Sequence, residues 1–187
     1  MPLSKIDSAS LNSGAVTSTA LAAGSVTSTA LAQPLTLGTA VPTTSGTSVD
    51  FTGIPSWAKR ITVILSGVST NGTSYPQVQI GSGSVTTTGY TAQFGGGTSP
   101  SGIYTSGFVF FAPAATSNMS GNIVLNLIGS NKWVCFGVVG YDNSTGVPWS
   151  STGSSPTLGG ALDRVRITTV NGTDAFDAGS INILYEG

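Results

Sequence analysis

Histidine is absent from this 187-residue chain. Its absence removes Ser-His-Asp and Cys-His nucleophilic arrangements and the commonest metal-ligating side chain. One cysteine, Cys135, is present, so no disulfide can close within the chain. It lies in the apolar run Trp133-Val134-Cys135-Phe136, where a buried and inert thiol is expected. Charge is scarce as well. Charged residues make up 7% of the chain, against about 25% in an average protein, and the net charge is -1. With no basic run, nothing here attracts nucleic acid. No apolar run approaches transmembrane length, and Met1-Pro2-Leu3-Ser4-Lys5 lacks the apolar core of a signal peptide. Membrane insertion and signal-directed export are not expected. Synthesis in a cytoplasm is.

Seven carboxylates remain for chemistry: Asp7, Asp50, Asp142, Asp163, Asp174, Asp177 and Glu186. Glycoside hydrolysis needs a facing pair of them. Asp174 and Asp177 lie three apart in a Gly-flanked turn and, with Asn171, form a weak candidate set for a hard cation such as calcium. Turn formation by short polar side chains is the competing reading. No catalytic residue is assigned, no enzymatic activity is expected, and no cofactor is called for.

Glycine is abundant, at 26 residues, and Ser and Thr dominate the polar positions. The most ordered feature is a repeat. Val16-Thr17-Ser18-Thr19-Ala20-Leu21-Ala22 recurs as Val26-Thr27-Ser28-Thr29-Ala30-Leu31-Ala32. Beneath it, Ile6, Leu11, Val16, Leu21, Val26 and Leu31 place one large apolar residue at every fifth position. Five matches neither the strand nor the helix period. A single-chain pentapeptide solenoid needs more stacked coils than this segment supplies. A Ser/Thr/Gly/Ala linker has no reason to keep the beat. A stalk of several identical chains, with the beat residues on a shared axis, accounts for it. One burial worth about 1.5–3 kcal/mol comes only once for every five residues whose backbone must be fixed, so a lone chain cannot order the segment. Threefold symmetry is the first choice, giving a homotrimer.

Residues 34–46 are rich in Pro and Gly and read as a neck. From residue 47 the period switches to two. Val49/Phe51, Ile61/Val63/Leu65, Val78/Ile80, Tyr90/Ala92/Phe94, Ile123/Leu125/Leu127, Val165/Ile167 and Ile181/Ile183/Tyr185 alternate with polar neighbours. Phe108-Val109-Phe110-Phe111 is apolar throughout, which places it inside on both faces or at a subunit contact, and Trp133–Val139 is another apolar run. No segment holds a helical period. The expectation is an all-β chain: a short repetitive fibrous stalk over 1–33, a neck over 34–46 and a jelly-roll-like β-sandwich knob over 47–187.

Three stretches carry a resemblance. Val49-Asp50-Phe51-Thr52-Gly53-Ile54-Pro55-Ser56-Trp57-Ala58-Lys59-Arg60-Ile61, Leu162-Asp163-Arg164-Val165-Arg166 and Asn171-Gly172-Thr173-Asp174-Ala175-Phe176-Asp177-Ala178-Gly179-Ser180-Ile181-Asn182-Ile183 resemble the C-terminal domain of tailed-bacteriophage virion proteins. The Gly-x-Val-Thr-x-x-Ala-Leu-Ala repeat is similar to repeats in phage fibre stalks. The resemblance implies a virion protein assembled in the bacterial cytoplasm, either a short attachment fibre or a capsid head fibre or decoration protein. It implies that the N-terminal segment joins another virion structural protein of the capsid or tail. It transfers no catalytic residues.

The stretch Tyr141–Leu158 reads as the longest loop, and a Trp inside it is unusual. Tyr141, Asp142, Asn143 and Trp149 combine an aromatic face with polar partners and form the candidate site for a host-surface glycan. Trp149 filling a gap in its own domain, or at a subunit seam, is the alternative. Tyr75, Tyr90 and Tyr104 are lesser candidates. Trp57 is expected to anchor the core. Lys59-Arg60 and Arg164/Arg166 are expected to pair with the few carboxylates. The sequons at Asn71, Asn118, Asn143 and Asn171 read as turn residues.

Overall fold

The computed structural model describes residues 33–96, 99–100, 102–112, 114–142 and 148–187. The chain divides into two units, Met1–Pro34 and Leu35–Gly187. The stalk residues Ile6, Leu11, Val16, Leu21, Val26 and Leu31, and Asn143 of the candidate loop, lie outside the described residues.

The unit Leu35–Gly187 is all-β among its described residues. Its strands are β1 (Thr36–Leu37), β2 (Val41–Pro42), β3 (Ser48–Thr52), β4 (Arg60–Thr70), β5 (Pro76–Ser82), β6 (Ser84–Val85) and β7 (Thr91–Gly96). They continue with β8 (Ser99–Pro100), β9 (Phe108–Val109), β10 (Met119–Gly129), β11 (Lys132–Tyr141), β12 (Trp149–Ser154), β13 (Arg164–Thr169) and β14 (Phe176–Glu186). Two sheets form. The larger has nine strands in the order β1-β14-β4-β10-β11-β12-β7-β8, with β2 also on β14. The smaller has five, β3-β13-β5-β6, with β9 also on β5. The pairings between them are all antiparallel.

The period-two pattern decides which residues meet. Register pairs Ile167 with Val49 and Val78, and Val165 with Phe51 and Ile80. These six form the inner face of the small sheet. Ile61, Val63, Ile123, Leu125, Trp133, Cys135, Ile181 and Ile183 face them from the large sheet, and all belong to one buried core. Alternation in one strand therefore fixes burial in its neighbours, because a one-residue slip would turn every apolar side chain outward.

Phe108, Val109 and Phe110 are fully buried, as an unbroken apolar run requires, although only Phe108–Val109 pair as strand. The neck segment runs along the large sheet: Thr36 pairs with Tyr185 and Val41 with Ile181. The expected loop 141–158 contains β12, which pairs with β11 and β7. Its core-facing positions after Trp149 are Ser151 and Gly153. Ser151 Oγ donates to the Val109 carbonyl at 2.7 Å. A Cβ at Gly153 would stand 2.5 Å from the Thr91 carbonyl oxygen. Small inward residues allow this strand to pack closely, and they also erase the apolar alternation that marks the others.

Candidate functional site

The outer face of the small sheet is polar, and register sets its side chains in rows. Ser48, Thr168 and Gln77 form one row; Asp50, Arg166 and Gln79 form the next. Asp50 and Arg166 make a bidentate pair, with Nε to Oδ1 at 2.8 Å and Nη2 to Oδ2 at 3.0 Å. The carboxylate beside it raises the Arg166 pKa further, although burial works the other way. The fork geometry holds the guanidinium flat in the row.

Loops rise around these rows and leave a groove of about 370 Å³, lined by Ser48, Gln77, Gln79, Thr87, Ser106 and Arg166 among others. The segment at Ser106-Gly107 crosses over the two glutamines. A Cβ at Gly107 would lie 2.8 Å from Gln77 Oε1, so only glycine allows so close a crossing. Ser106 Oγ donates to Gln77 Oε1 at 2.7 Å, and Gln77 Nε2 donates to the Thr169 carbonyl at 3.3 Å. Gln79 Nε2 donates to the Ser106 carbonyl at 2.8 Å. Gln77 and Gln79 are consequently 2% and 5% exposed, which is unusual for neutral amides on an outer sheet face.

The residues singled out from sequence fall elsewhere. Trp149 opens β12 and stacks on Phe111, with ring centroids 4.1 Å apart and planes at 26°. Phe94 meets it edge-on, and its Nε1 donates to the Tyr141 hydroxyl at 2.9 Å. Tyr75 and Tyr104 extend the same aromatic cluster. Asp142 does not join it in any observed bond. Its carboxylate receives the Asn118 amide at 2.7 Å, which holds its pKa below the usual carboxylate value. Tyr90 is 1% exposed, and its hydroxyl receives the Ile80 amide and donates within the core, so it offers no surface for a ligand. Trp57 is half-buried against Tyr185.

Asn171, Asp174 and Asp177 serve turns and neighbours. Asn171 Oδ1 receives the backbone amides of Thr173 and Asp174, and its Nδ2 donates to Asp174 Oδ1. Asp174 Oδ2 receives the Ser74 amide. Asp177 points to another partner, the Ser69 hydroxyl. Among the described residues no group of three or more His, Cys, Asp or Glu is placed to hold a metal. Asn71 and Asn118 also act in turns: Asn71 Oδ1 receives the Ala175 amide, and Asn118 binds Asp142. The basic residues pair locally, Arg60 with Glu186 and Arg164 with Asp163.

The polar neighbours of Val78 and Ile80 in the alternation include Gln77 and Gln79, but the pattern gives no sign of the groove. Two polar residues flanking a valine identify an outward face; they do not say that a distant loop will cover it. Gly107 was the available signal, since a glycine just before Phe108 lets backbone approach a neighbour closely. Comparison with known proteins finds no matching family model, no matching curated protein and no matching solved structure.

Proposed function

We propose that this chain is a non-enzymatic structural virion protein of a tailed phage, a trimeric short fibre with a β-sandwich knob used in host-surface attachment. The observation that carries the reading is the outer face of the nine-stranded sheet. Register lines up Leu37, Leu184, Thr62, Val124, Phe136 and Thr152 from β1 across to β12. Phe136 is 59% exposed and Leu37 62%. Ile64 and Val138 flank the row on either side of Asn122. An apolar stripe of this kind, with the Arg60–Glu186 pair at its border, suits burial against further copies of the chain.

A binding role fits the described carboxylates, which are held in ion pairs or turn hydrogen bonds. The jelly-roll-like path belongs to the same proposal. It is supported by the way the chain changes sheet repeatedly, entering the small sheet at β3, β5, β9 and β13 and returning each time to the large one. Light scattering on the full-length chain should give the mass of three 18.7 kDa chains. A monomer at all concentrations would sink the fibre reading.

A head fibre or decoration protein with a purely structural role is the second reading. It is favoured by Trp149, whose face is covered by Phe111 rather than open to a sugar ring. Antibody labelling of intact particles separates the two by position on head or tail.

A further inference from the structure

We infer that the groove over β13 and β5 binds a neutral polyhydroxylated ligand, a saccharide of one or two rings, with Gln79 Oε1 as its central acceptor. The inference deepens the attachment reading and rests on it for its biological meaning; the binding itself can be tested alone.

Gln79 is the first argument. The residue is 95% buried by its 5% exposure, and its amide nitrogen is engaged, yet Oε1 accepts no hydrogen bond from any described residue. Among the described buried side-chain nitrogens and oxygens, only Trp133 Nε1 is both sealed from solvent and unpartnered. Gln79 Oε1 therefore keeps access to solvent, and the groove it lines is the space next to it. An acceptor held rigidly in a strand, with its own nitrogen tethered, is preorganised for a donor from outside.

Charge is the second argument. Asp50 neutralises Arg166 through both carboxylate oxygens, so the groove offers polarity without net charge. Arg166 Nη1 donates to no described residue, and Thr87, an exposed hydroxyl residue, lines the groove. Donor, acceptor and hydroxyl thus surround one small volume. A sugar hydroxyl can both donate and accept, which matches this mixture; a free anion would find its cation already paired.

The floor is the third. β13, the middle of the floor, pairs with β3 on one side and β5 on the other, so its backbone is closed to an added strand. An extended peptide recognised through its main chain needs a free strand edge. The groove volume of about 370 Å³ is at the small end for ligand sites, which are typically about 300–1,000 Å³. Aromatic stacking is not among the groove's means, since no aromatic is among the described residues that line it. Affinity per site should be millimolar, and several linked copies would raise it through avidity.

Saturation-transfer NMR on the full-length chain tests this with methyl glucoside, methyl galactoside and N-acetylglucosamine, beside N-acetylneuraminic acid and an acetylated tetra-alanine peptide. At least one neutral sugar should take up saturation at millimolar concentration. Gln79→Leu should weaken that sugar about tenfold, the effect of losing one buried hydrogen bond. Thr87→Phe fills the groove from an exposed position and should abolish binding, which keeps the test open if Gln79→Leu does not fold. The inference is overturned if no neutral sugar binds, if only the anionic sugar or the peptide binds, or if Thr87→Phe leaves sugar binding intact. A neutral sugar bound by a chain that proves monomeric would uphold the groove and sink the trimer.

Discussion

At the scale of single residues, burial suppresses the acidity of two core groups. Cys135 is 3% exposed, and burial pushes its pKa from 9.0 to about 12, only partly offset by the Ser151 hydroxyl. Burial likewise pushes Tyr90 from 10.0 to about 12. Both groups are neutral when protonated, so the folded state resists ionisation that the unfolded chain undergoes earlier. Their contribution to stability is complete below about pH 9, declines as the unfolded groups ionise, and is lost as pH rises through about 12. Through these two groups, urea midpoints should thus fall between about pH 9 and 11 and stay level from about pH 6 to 8. In the same range a thiol reagent such as DTNB should leave Cys135 untouched at pH 8 until urea unfolds the chain. Rapid native-state labelling would contradict the buried placement.

Among the strands, the joint between β4 and β14 shows how two glycines solve one problem. The ladder slips between Phe176 and Ala178 and again between Ala178 and Ser180. Gly179 sits in the slip at φ 87°, opposite Gly67 at φ 61°. A Cβ on Gly179 would stand 2.3 Å from the Gly67 carbonyl oxygen. Thr43, fully buried at the end of β2, closes the irregularity: its amide donates to the Gly179 carbonyl at 2.9 Å and its hydroxyl to the Ala178 carbonyl at 2.6 Å. Gly179→Ala combines left-handed strain with a backbone overlap and should cost about 2–5 kcal/mol in urea unfolding. A cost under about 0.5 kcal/mol, the level of an indifferent surface change, would refute this geometry.

Elements differ in how plainly the sequence declares them. β3, β4, β5, β10, β13 and β14 carry large apolar residues at every second position, and the pattern specifies both strand and inward face. β12 does not, because after Trp149 its inward residues are Ser151 and Gly153, which suit close approach rather than burial of area. The groove was hidden for a different reason. Its polar rows are local, but its roof comes from residue 106 and its rim from residue 87, and no local pattern reports a crossing between segments far apart in sequence. The two readings of Trp149 stayed open by the same limit: whether a Trp amid Ser, Thr and Gly is open or fills a gap depends on Phe94 and Phe111, which only the fold brings beside it.

Across the whole molecule, the two sheets present opposite outer surfaces. One is a row of amides, hydroxyls and a neutralised ion pair; the other is a band of aliphatic and aromatic side chains. In the proposed assembly the second surface packs against other copies and leaves the first outward. Phe136→Asp tests that division. Phe136 is largely exposed, so the change should alter urea stability of the folded unit by no more than about 0.5 kcal/mol. Its effect should appear in association: the light-scattering mass should fall on dilution at concentrations where the parent chain keeps its mass. Equal masses at every dilution would show that Phe136 lies outside any contact between copies.

The placement of β14 has a consequence for time. Thr36 pairs with Tyr185, Val41 with Ile181 and Ile61 with Tyr185 on the other side. β1 and β2 therefore have no ladder partner, and β4 has only β10, until β14 emerges from the ribosome. Loop closure over such distances is slow, and pairings this remote in sequence place the domain among slow folders. While the ribosome works, β1, β2 and β4 wait with open edges and must be kept from pairing with strangers. The strand that ends the wait lies between β1 and β2 on one side and β4 on the other, so these waiting edges are covered in a single late step.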